Sequence, residues 1–194
     1  MEKKKITVGI QGGIGSFNEK AVGLCLKKAN IKNYKIAYLY TTKNVLLNLS
    51  REKIDLGFFA IYNNLGSLVD ESIKEIPKHK FQVMESVTIP IKHALMKRKD
   101  TKINEVKGIM THPQVLLQCK NNLTKKYPYL IQSSGMGDLL DTAKAAEALV
   151  KGNVSKNTAI LGNLDLSRIY NLDVIENNLQ DNDKNFSTFL LVRL

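Results

Sequence analysis

Short apolar runs alternate with longer stretches that carry one apolar face, a pattern that predicts strands alternating with helices. Ile6-Thr7-Val8-Gly9-Ile10 reads as a buried strand. After a glycine-rich turn a helix opens at about Ser16, where Ser16 and Glu19 match a capping box. Ala21, Val22, Leu24 and Cys25 supply its apolar face. Residues 35–40 read as a second strand, and Thr42 is placed to cap a short helix carrying Val45, Leu46 and Leu49. Residues 56–61 form the continuous apolar run expected of a central parallel strand. Tyr62-Asn63-Asn64-Leu65-Gly66 then reads as a turn.

The second half continues the pattern. Residues 81–96 are strand-like, interrupted by Pro90 and longer than one ordinary strand, as expected of a chain crossing between two lobes. Residues 107–110 and 129–132 read as strands flanking a helix that starts at His112-Pro113 and runs to about Lys126. Asp141 to Val150 is strongly helical and stops at Gly152. Residues 158–161, 173–175 and 186–192 complete the strands. The alternation predicts an α/β fold: two lobes of mostly parallel sheet flanked by helices. Residues 1–89 plus 169–194 form the first lobe and 90–168 the second. Ligands of such folds bind beyond the carboxyl ends of the strands, here the cleft between the lobes.

Composition narrows the partners. Of 194 residues, 43% are hydrophobic and 24% charged, as in a folded globular chain. The net charge of +11 favours anionic partners. Its densest groups, Lys3-Lys4-Lys5, Lys97-Arg98-Lys99 and Lys125-Lys126, are short and scattered, and there is no Trp. They read as solvated turns and strand ends rather than a nucleic-acid surface, which leaves a small anionic molecule. Cys25 and Cys119 sit in apolar helical patterns and read as buried, reduced thiols, with no zinc-like Cys/His spacing. The N-terminal apolar run is too short for a signal-peptide core or a membrane span, so a cytosolic protein is expected.

Two strand-to-helix junctions could hold an anion. Gln11-Gly12-Gly13-Ile14-Gly15-Ser16 offers backbone N–H groups at a helix start, although a purely structural turn has the same pattern. Thr111-His112-Pro113-Gln114 offers a hydroxyl, an imidazole and free N–H groups, again either as a site or as a cap. His93 lies in a strand pattern, and His79, between Lys78 and Lys80, reads as surface.

Six segments, in order, carry a resemblance: Gln11-Gly12 with Gly15-Ser16-Phe17-Asn18; Asp55-Leu56-Gly57-Phe58-Phe59-Ala60-Ile61-Tyr62-Asn63-Asn64-Leu65-Gly66; Ile89-Pro90-Ile91-Lys92-His93-Ala94-Leu95; Thr111-His112-Pro113-Gln114-Val115-Leu116-Leu117-Gln118-Cys119; Asp141-Thr142-Ala143-Lys144-Ala145-Ala146; and Asn177-Asn178-Leu179-Gln180-Asp181-Asn182 through Phe189. Together they resemble the prephenate dehydratase family. The resemblance implies two periplasmic-binding-protein-like lobes with the active site between them, a homodimer, and neither metal nor cofactor. The chain stops just past the last motif, so the phenylalanine-sensing regulatory domain of many members is expected to be absent. Substrate binding is implied for Gly15, Ser16, Asn63, Asn64, Thr111, His112, Gln114, Thr142 and Phe189, and catalysis for Ser187 and Thr188.

Three departures bear on that expectation. The family's Glu-Asn-Ser turn is Tyr62-Asn63-Asn64, and the turn is one residue shorter; its Thr-Arg-Phe signature is Ser187-Thr188-Phe189; its serine before Thr142 is Asp141. Successive strand residues face opposite sides, so only one of Ser187 and Thr188 can face the cleft. The implied activity is decarboxylating dehydration of prephenate to phenylpyruvate in phenylalanine biosynthesis. The alternatives are decarboxylation alone of prephenate or a similar acid, and non-catalytic binding of a small anion.

Overall fold

The computed structural model describes residues 5–194; Lys3 and Lys4 of the first basic group lie outside them. In chain order the first lobe contains β1 (Ile6–Ile10), α1 (Phe17–Lys28), β2 (Tyr34–Tyr38), α2 (Thr42–Ser50), β3 (Leu56–Asn63), a two-residue β4 (Ser67–Leu68), α3 (Asp70–Glu75) and β5 (Gln82–Pro90). The second contains β6 (His93–Arg98), β7 (Gly108–Met110), α4 (Pro113–Gln118), α5 (Lys120–Lys126), β8 (Ile131–Ser133), α6 (Thr142–Val150), β9 (Thr158–Asn163), α7 (Asp165–Ile169) and β10 (Leu172–Glu176). The chain then returns, and β11 (Phe186–Arg193) completes the first sheet. The strand orders are β2-β1-β3-β11-β5, with β4 on β3, and β10-β6-β9-β7-β8.

The two-lobed α/β architecture matches the sequence pattern, but each sheet is mixed rather than mostly parallel. β1 pairs in parallel with β2 and β3, and β7 with β8 and β9. β11 runs antiparallel to both β3 and β5, and β6 to both β9 and β10. The chain crosses between lobes twice, after β5 and after β10. The strand that follows each crossing must begin at the cleft and run away from it, against strands that end there. The boundary expected at residue 169 also moves. Leu172–Glu176 extends the second sheet along β6, and Leu172 is buried in that lobe's core.

The apolar runs bury as their patterns require. Phe58 packs with Val22, Cys25, Leu26 and Phe189 on one face of the first sheet. Phe59 packs with Val45, Leu46, Leu49 and Val192 on the other. A strand covered on both faces has no polar side to present, which explains the unbroken apolar run. Cys25 belongs to the first core and Cys119 to a core of the second lobe; burial pushes the Cys25 thiol up to about 11, where it is a poor nucleophile.

Local details differ from the sequence pattern for identifiable reasons. Thr41, not Thr42, caps α2: its extended backbone turns the hydroxyl onto Asn44 N at 3.1 Å, while Thr42 is buried against Ser72. The helix expected from His112 to Lys126 breaks at Cys119. There the Asp181 carboxylate, on the returning chain, accepts from Asn121 N and Asn122 N and caps a second helix. Tyr62 and Asn63 remain in β3, and the turn begins at Asn64.

Gly15 shows how closely the lobes approach. Its φ is +87°, and a Cβ there would lie 2.7 Å from Ile169 Cδ1 and 2.8 Å from Leu166 Cδ2, both on α7. Gly15→Ala is expected to cost about 1–2 kcal/mol from the left-handed backbone alone. In urea unfolding it should lower the midpoint with the slope unchanged. An unaltered midpoint would contradict this packing.

Candidate active site

A cavity of about 730 Å³, counting its open mouth, lies between the lobes. Gln11, Ser16, Asn18, Tyr40, Ser187 and Phe189 line it from the first lobe, and His93, His112, Gln114, Asp141, Thr142 and Asn163 from the second. Six of the residues expected at the site are therefore brought together: Ser16, His112, Gln114, Thr142, Ser187 and Phe189. Gly15, Asn63, Asn64, Thr111 and Thr188 do not line the cavity.

Each of those five has another position. Gly15 bridges the lobes, its carbonyl accepting from Asn163 Nδ2 at 2.9 Å. Thr111 donates its hydroxyl to Leu161 O and accepts from Thr142 at 3.1 Å. Asn64 Oδ1 accepts from Phe186 N, and its amide donates to Lys184 O, which fixes the start of β11. Asn63 is buried behind the lining. Its Nδ2 is 2.7 Å from Asn185 Oδ1 and 2.9 Å from both Phe186 O and Ser187 Oγ, while Oδ1 accepts from Leu65 N and Gly66 N. Thr188 faces away from the cavity, 2.9 Å from the Thr88 hydroxyl.

The choice between Ser187 and Thr188 is thus made by register. β11 lies on β3 with Ser187 opposite Asn63 and Thr188 opposite Tyr62; a bulge at Ile61 then puts Phe189 opposite Ala60. Ser187 and Phe189 share the inward face with Asn63 and Ala60. Ser187 Oγ accepts from Asn63, so its own hydrogen is left for the cavity.

The second lobe contributes through helix starts. His112 caps α4: Nδ1 accepts from Gln114 N at 3.1 Å, which puts the ring proton on Nε2. That buried N–H has no hydrogen-bond partner among the described residues and lies 3.6 Å from Glu71 Oε2. Thr142 accepts from His112 N at 3.2 Å. Gln114 does not point into free space; its amide closes the lobes by donating to Gly66 O and Ser67 O.

The glycine-rich turn does hold an anion, but one supplied by the protein. Asp141 Oδ2 accepts from Gly13 N at 2.9 Å, across the lobes, and from Lys144 N at 2.8 Å at the start of α6. Burial pushes the Asp141 carboxyl up to about 6, although those backbone donors and His112 oppose the shift. Among the described residues no Lys or Arg lines the cavity. Lys144 instead sits over the Tyr40 ring at 4.9 Å and pairs with Glu147 at 2.9 Å.

Sequence reasoning did not single out Tyr40, Glu71, Asn163 or the role of His93. Tyr40 adopts φ +64°, a strained value for a non-glycine residue, at the cavity wall. Glu71 Oε2 accepts from Gln11 Nε2 at 2.8 Å, behind the lining. His93 Nε2 is 2.6 Å from Gln118 Oε1, which also accepts from Asn185 Nδ2, so that ring nitrogen carries the proton. Burial lowers the His93 pKa to about 4, and neutral Nδ1 is left without a partner among the described residues. The contacts of Glu71, His93 and Gln118 span 25 to 67 residues, beyond any local pattern.

The family model for prephenate dehydratase matches residues 8–194. Arogenate dehydratase 2 of Petunia hybrida is 28% identical over 191 residues, covering 98% of this chain and 45% of that protein. The bifunctional chorismate mutase/prephenate dehydratase of Buchnera aphidicola subsp. Schizaphis graminum is 29% identical over 149 residues, 76% of this chain and 37% of that protein. The chain thus spans less than half the length of these curated relatives. A prephenate dehydratase from Arthrobacter aurescens, solved with L-Phe, superposes with a TM-score of 0.76 at 19% identity, covering 97% of this chain and 60% of that one.

Asp141 makes stability depend on pH with an unusual sign. Its folded pKa lies above the ordinary carboxylate value, so the folded state binds the proton more tightly than the unfolded chain. The favourable contribution is present below pH 4 and is lost as pH rises through about 6. A shift of this size corresponds to about 3 kcal/mol. The stability of Asp141→Asn relative to the parent chain is therefore expected to rise between pH 4 and 7 by that order. A pH-independent difference in denaturant midpoints would refute it.

Proposed function

We propose that this chain, which belongs to the prephenate dehydratase family, carries out the family's decarboxylating dehydration in the cleft, converting prephenate to phenylpyruvate. The register of β11 on β3 carries the reading. The inward pair is Asn63 and Ser187, which keep the family's amide and a hydroxyl. The outward pair is Tyr62 and Thr188, where the family usually has Glu and Arg. Those two replacements stand directly opposite one another across the strands. A glutamate and an arginine there would form a cross-strand ion pair outside the cavity. The changes at Tyr62 and Thr188 thus amount to one exchanged outer pair off the cavity lining, and the change within the lining replaces the family's threonine with Ser187, which keeps the hydroxyl.

In this reaction the bond from the ring to its carboxylate breaks and CO2 leaves. The bonding electrons enter the ring, which becomes aromatic, and the ring C–O bond breaks with loss of hydroxide. Ser187 donates its hydrogen to the departing oxygen as negative charge develops there. Asn63 holds Ser187 Oγ as an acceptor and so directs that hydrogen inward. The Ser16 hydroxyl, whose oxygen is already engaged by Glu19 N, serves as a donor to the substrate's oxygens. Holding the substrate between two lobes supplies orientation and excludes water.

Ser187→Ala is expected to cut phenylpyruvate formation about a hundredfold with little change in KM, the scale for loss of one transition-state donor. Ser187→Thr should retain activity. Phenylpyruvate and CO2 are to be followed separately. CO2 without phenylpyruvate would replace dehydration with simple decarboxylation, and unchanged turnover in Ser187→Ala would remove Ser187 from the mechanism.

A further inference from the structure

A row of three side-chain amides fixes one hydrogen-bond acceptor in the cavity wall. It starts at the turn after β3, where Asn63 Oδ1 accepts from Leu65 N and Gly66 N. Backbone donors cannot exchange roles, so the other end of that amide, Nδ2, is the donor to Asn185 Oδ1 at 2.7 Å. Asn185 Nδ2 then donates to Gln118 Oε1 at 2.8 Å, and the same oxygen accepts from His93 Nε2 at 2.6 Å. Each bond settles the next, and the last puts the imidazole proton on Nε2. Nδ1 is therefore a lone-pair acceptor. His93 is 1% exposed and lines the cavity, and its Nδ1 has no hydrogen-bond partner among the described residues. Burial lowers the ring's pKa to about 4, so Nδ1 keeps its lone pair near neutral pH. Asn18 Oδ1, on the same wall, also lacks a partner among the described residues, but its amide can turn and present Nδ2 instead.

We propose that His93 is the residue that recognises the ring hydroxyl of the substrate, with Nδ1 accepting that group's hydrogen. This rests on the reading of the cleft as a dehydratase site and names the part of the substrate that meets His93. At neutral pH prephenate carries two carboxylates and a keto oxygen, all acceptors, and one donor, the ring hydroxyl. A buried group that can only accept has no other partner on that molecule. The Asn63 amide that starts the row also engages Ser187 Oγ at 2.9 Å. One row thus sets an acceptor for the hydroxyl's hydrogen at one end and a donor to its oxygen at the other. The two contacts act at different stages. As the ring C–O bond breaks, the oxygen gains charge and accepts more strongly from Ser187, while its own hydrogen becomes a poorer donor to Nδ1. That hydrogen stays on the departing oxygen throughout. His93 therefore acts on binding and orientation of the hydroxyl, and Ser187 on its departure.

The test uses 4-hydroxyphenylpyruvate and phenylpyruvate, which differ only in a ring hydroxyl and lack the carboxylate that would leave. Calorimetry on the parent chain is expected to show about tenfold tighter binding of the hydroxylated acid, the scale of one buried neutral hydrogen bond. His93→Gln keeps a donor toward Gln118 and removes the acceptor, so it should abolish that preference and leave phenylpyruvate affinity unchanged. With prephenate, His93→Gln should raise KM about tenfold and alter kcat far less, the reverse of Ser187→Ala. Thermal melts check that the variant is folded. Where it is not, 15N NMR of the parent chain gives the answer: 4-hydroxyphenylpyruvate should move the Nδ1 resonance of His93, one of three histidines, and phenylpyruvate should not. If prephenate is not turned over, the dehydratase reading falls, and the probe pair alone judges His93. Equal affinities in the parent chain, a preference that survives His93→Gln, or an Nδ1 resonance indifferent to the hydroxylated acid overturns the proposal.

Discussion

The cleft depends on one topological constraint: a chain that passes between two sheets twice must restart each time at the interface. The forward strands β1, β3, β7 and β9 end there, and the restarted strands β6 and β11 begin there. Strand ends deliver Gln11, Asn63, Thr111 and Asn163, and strand starts deliver His93 and Ser187. Residues separated by most of the chain therefore converge without long loops. The antiparallel pairs that make each sheet mixed are the same pairs that deliver the residues of the strand starts.

Convergence of backbone ends creates a polar problem, since buried donors need acceptors. Two side chains meet most of it. Asn63 uses both ends of its amide to join the turn after β3 to the first residues of β11. Asp141 accepts at once from the glycine turn of one lobe and the helix start of the other. The carboxylate is thus both a cap and a clasp, and two backbone donors offset only part of its burial cost. Overall charge gives no hint of this. The chain is strongly basic, yet the lining contributed by the described residues holds a carboxylate and no ammonium or guanidinium.

Apolar runs made much of the fold legible. β1, β3 and the crossing after Pro90 stand out because a strand buried on both faces leaves no polar position to blur the pattern. The sequence did not resolve positions one residue apart. Thr41 and Thr42 are equally good caps by type, and only the extended backbone of Thr41 selects it. Ser187 and Thr188 are equally good hydroxyls, and the register on β3 decides between them. Period-two reasoning established that one must face outward but carried no information about which. Asp141 was legible as a helix cap, and the family resemblance marked it as a departure. Its bond to Gly13 spans 128 residues, and no local pattern encodes it.

Hydrogen bonds join four side chains of the second lobe to the backbone of the first. Asp141 reaches Gly13 N, Asn163 reaches Gly15 O, Gln114 reaches Gly66 O, and Tyr170 reaches Ile14 O at 3.2 Å. Such bonds contribute about 0.5–1.5 kcal/mol each when water can replace them. Each lobe has its own apolar core clusters. Asp141 belongs to the clasp and to the lining alike, so the group that joins the two lobes also faces what the cavity would hold.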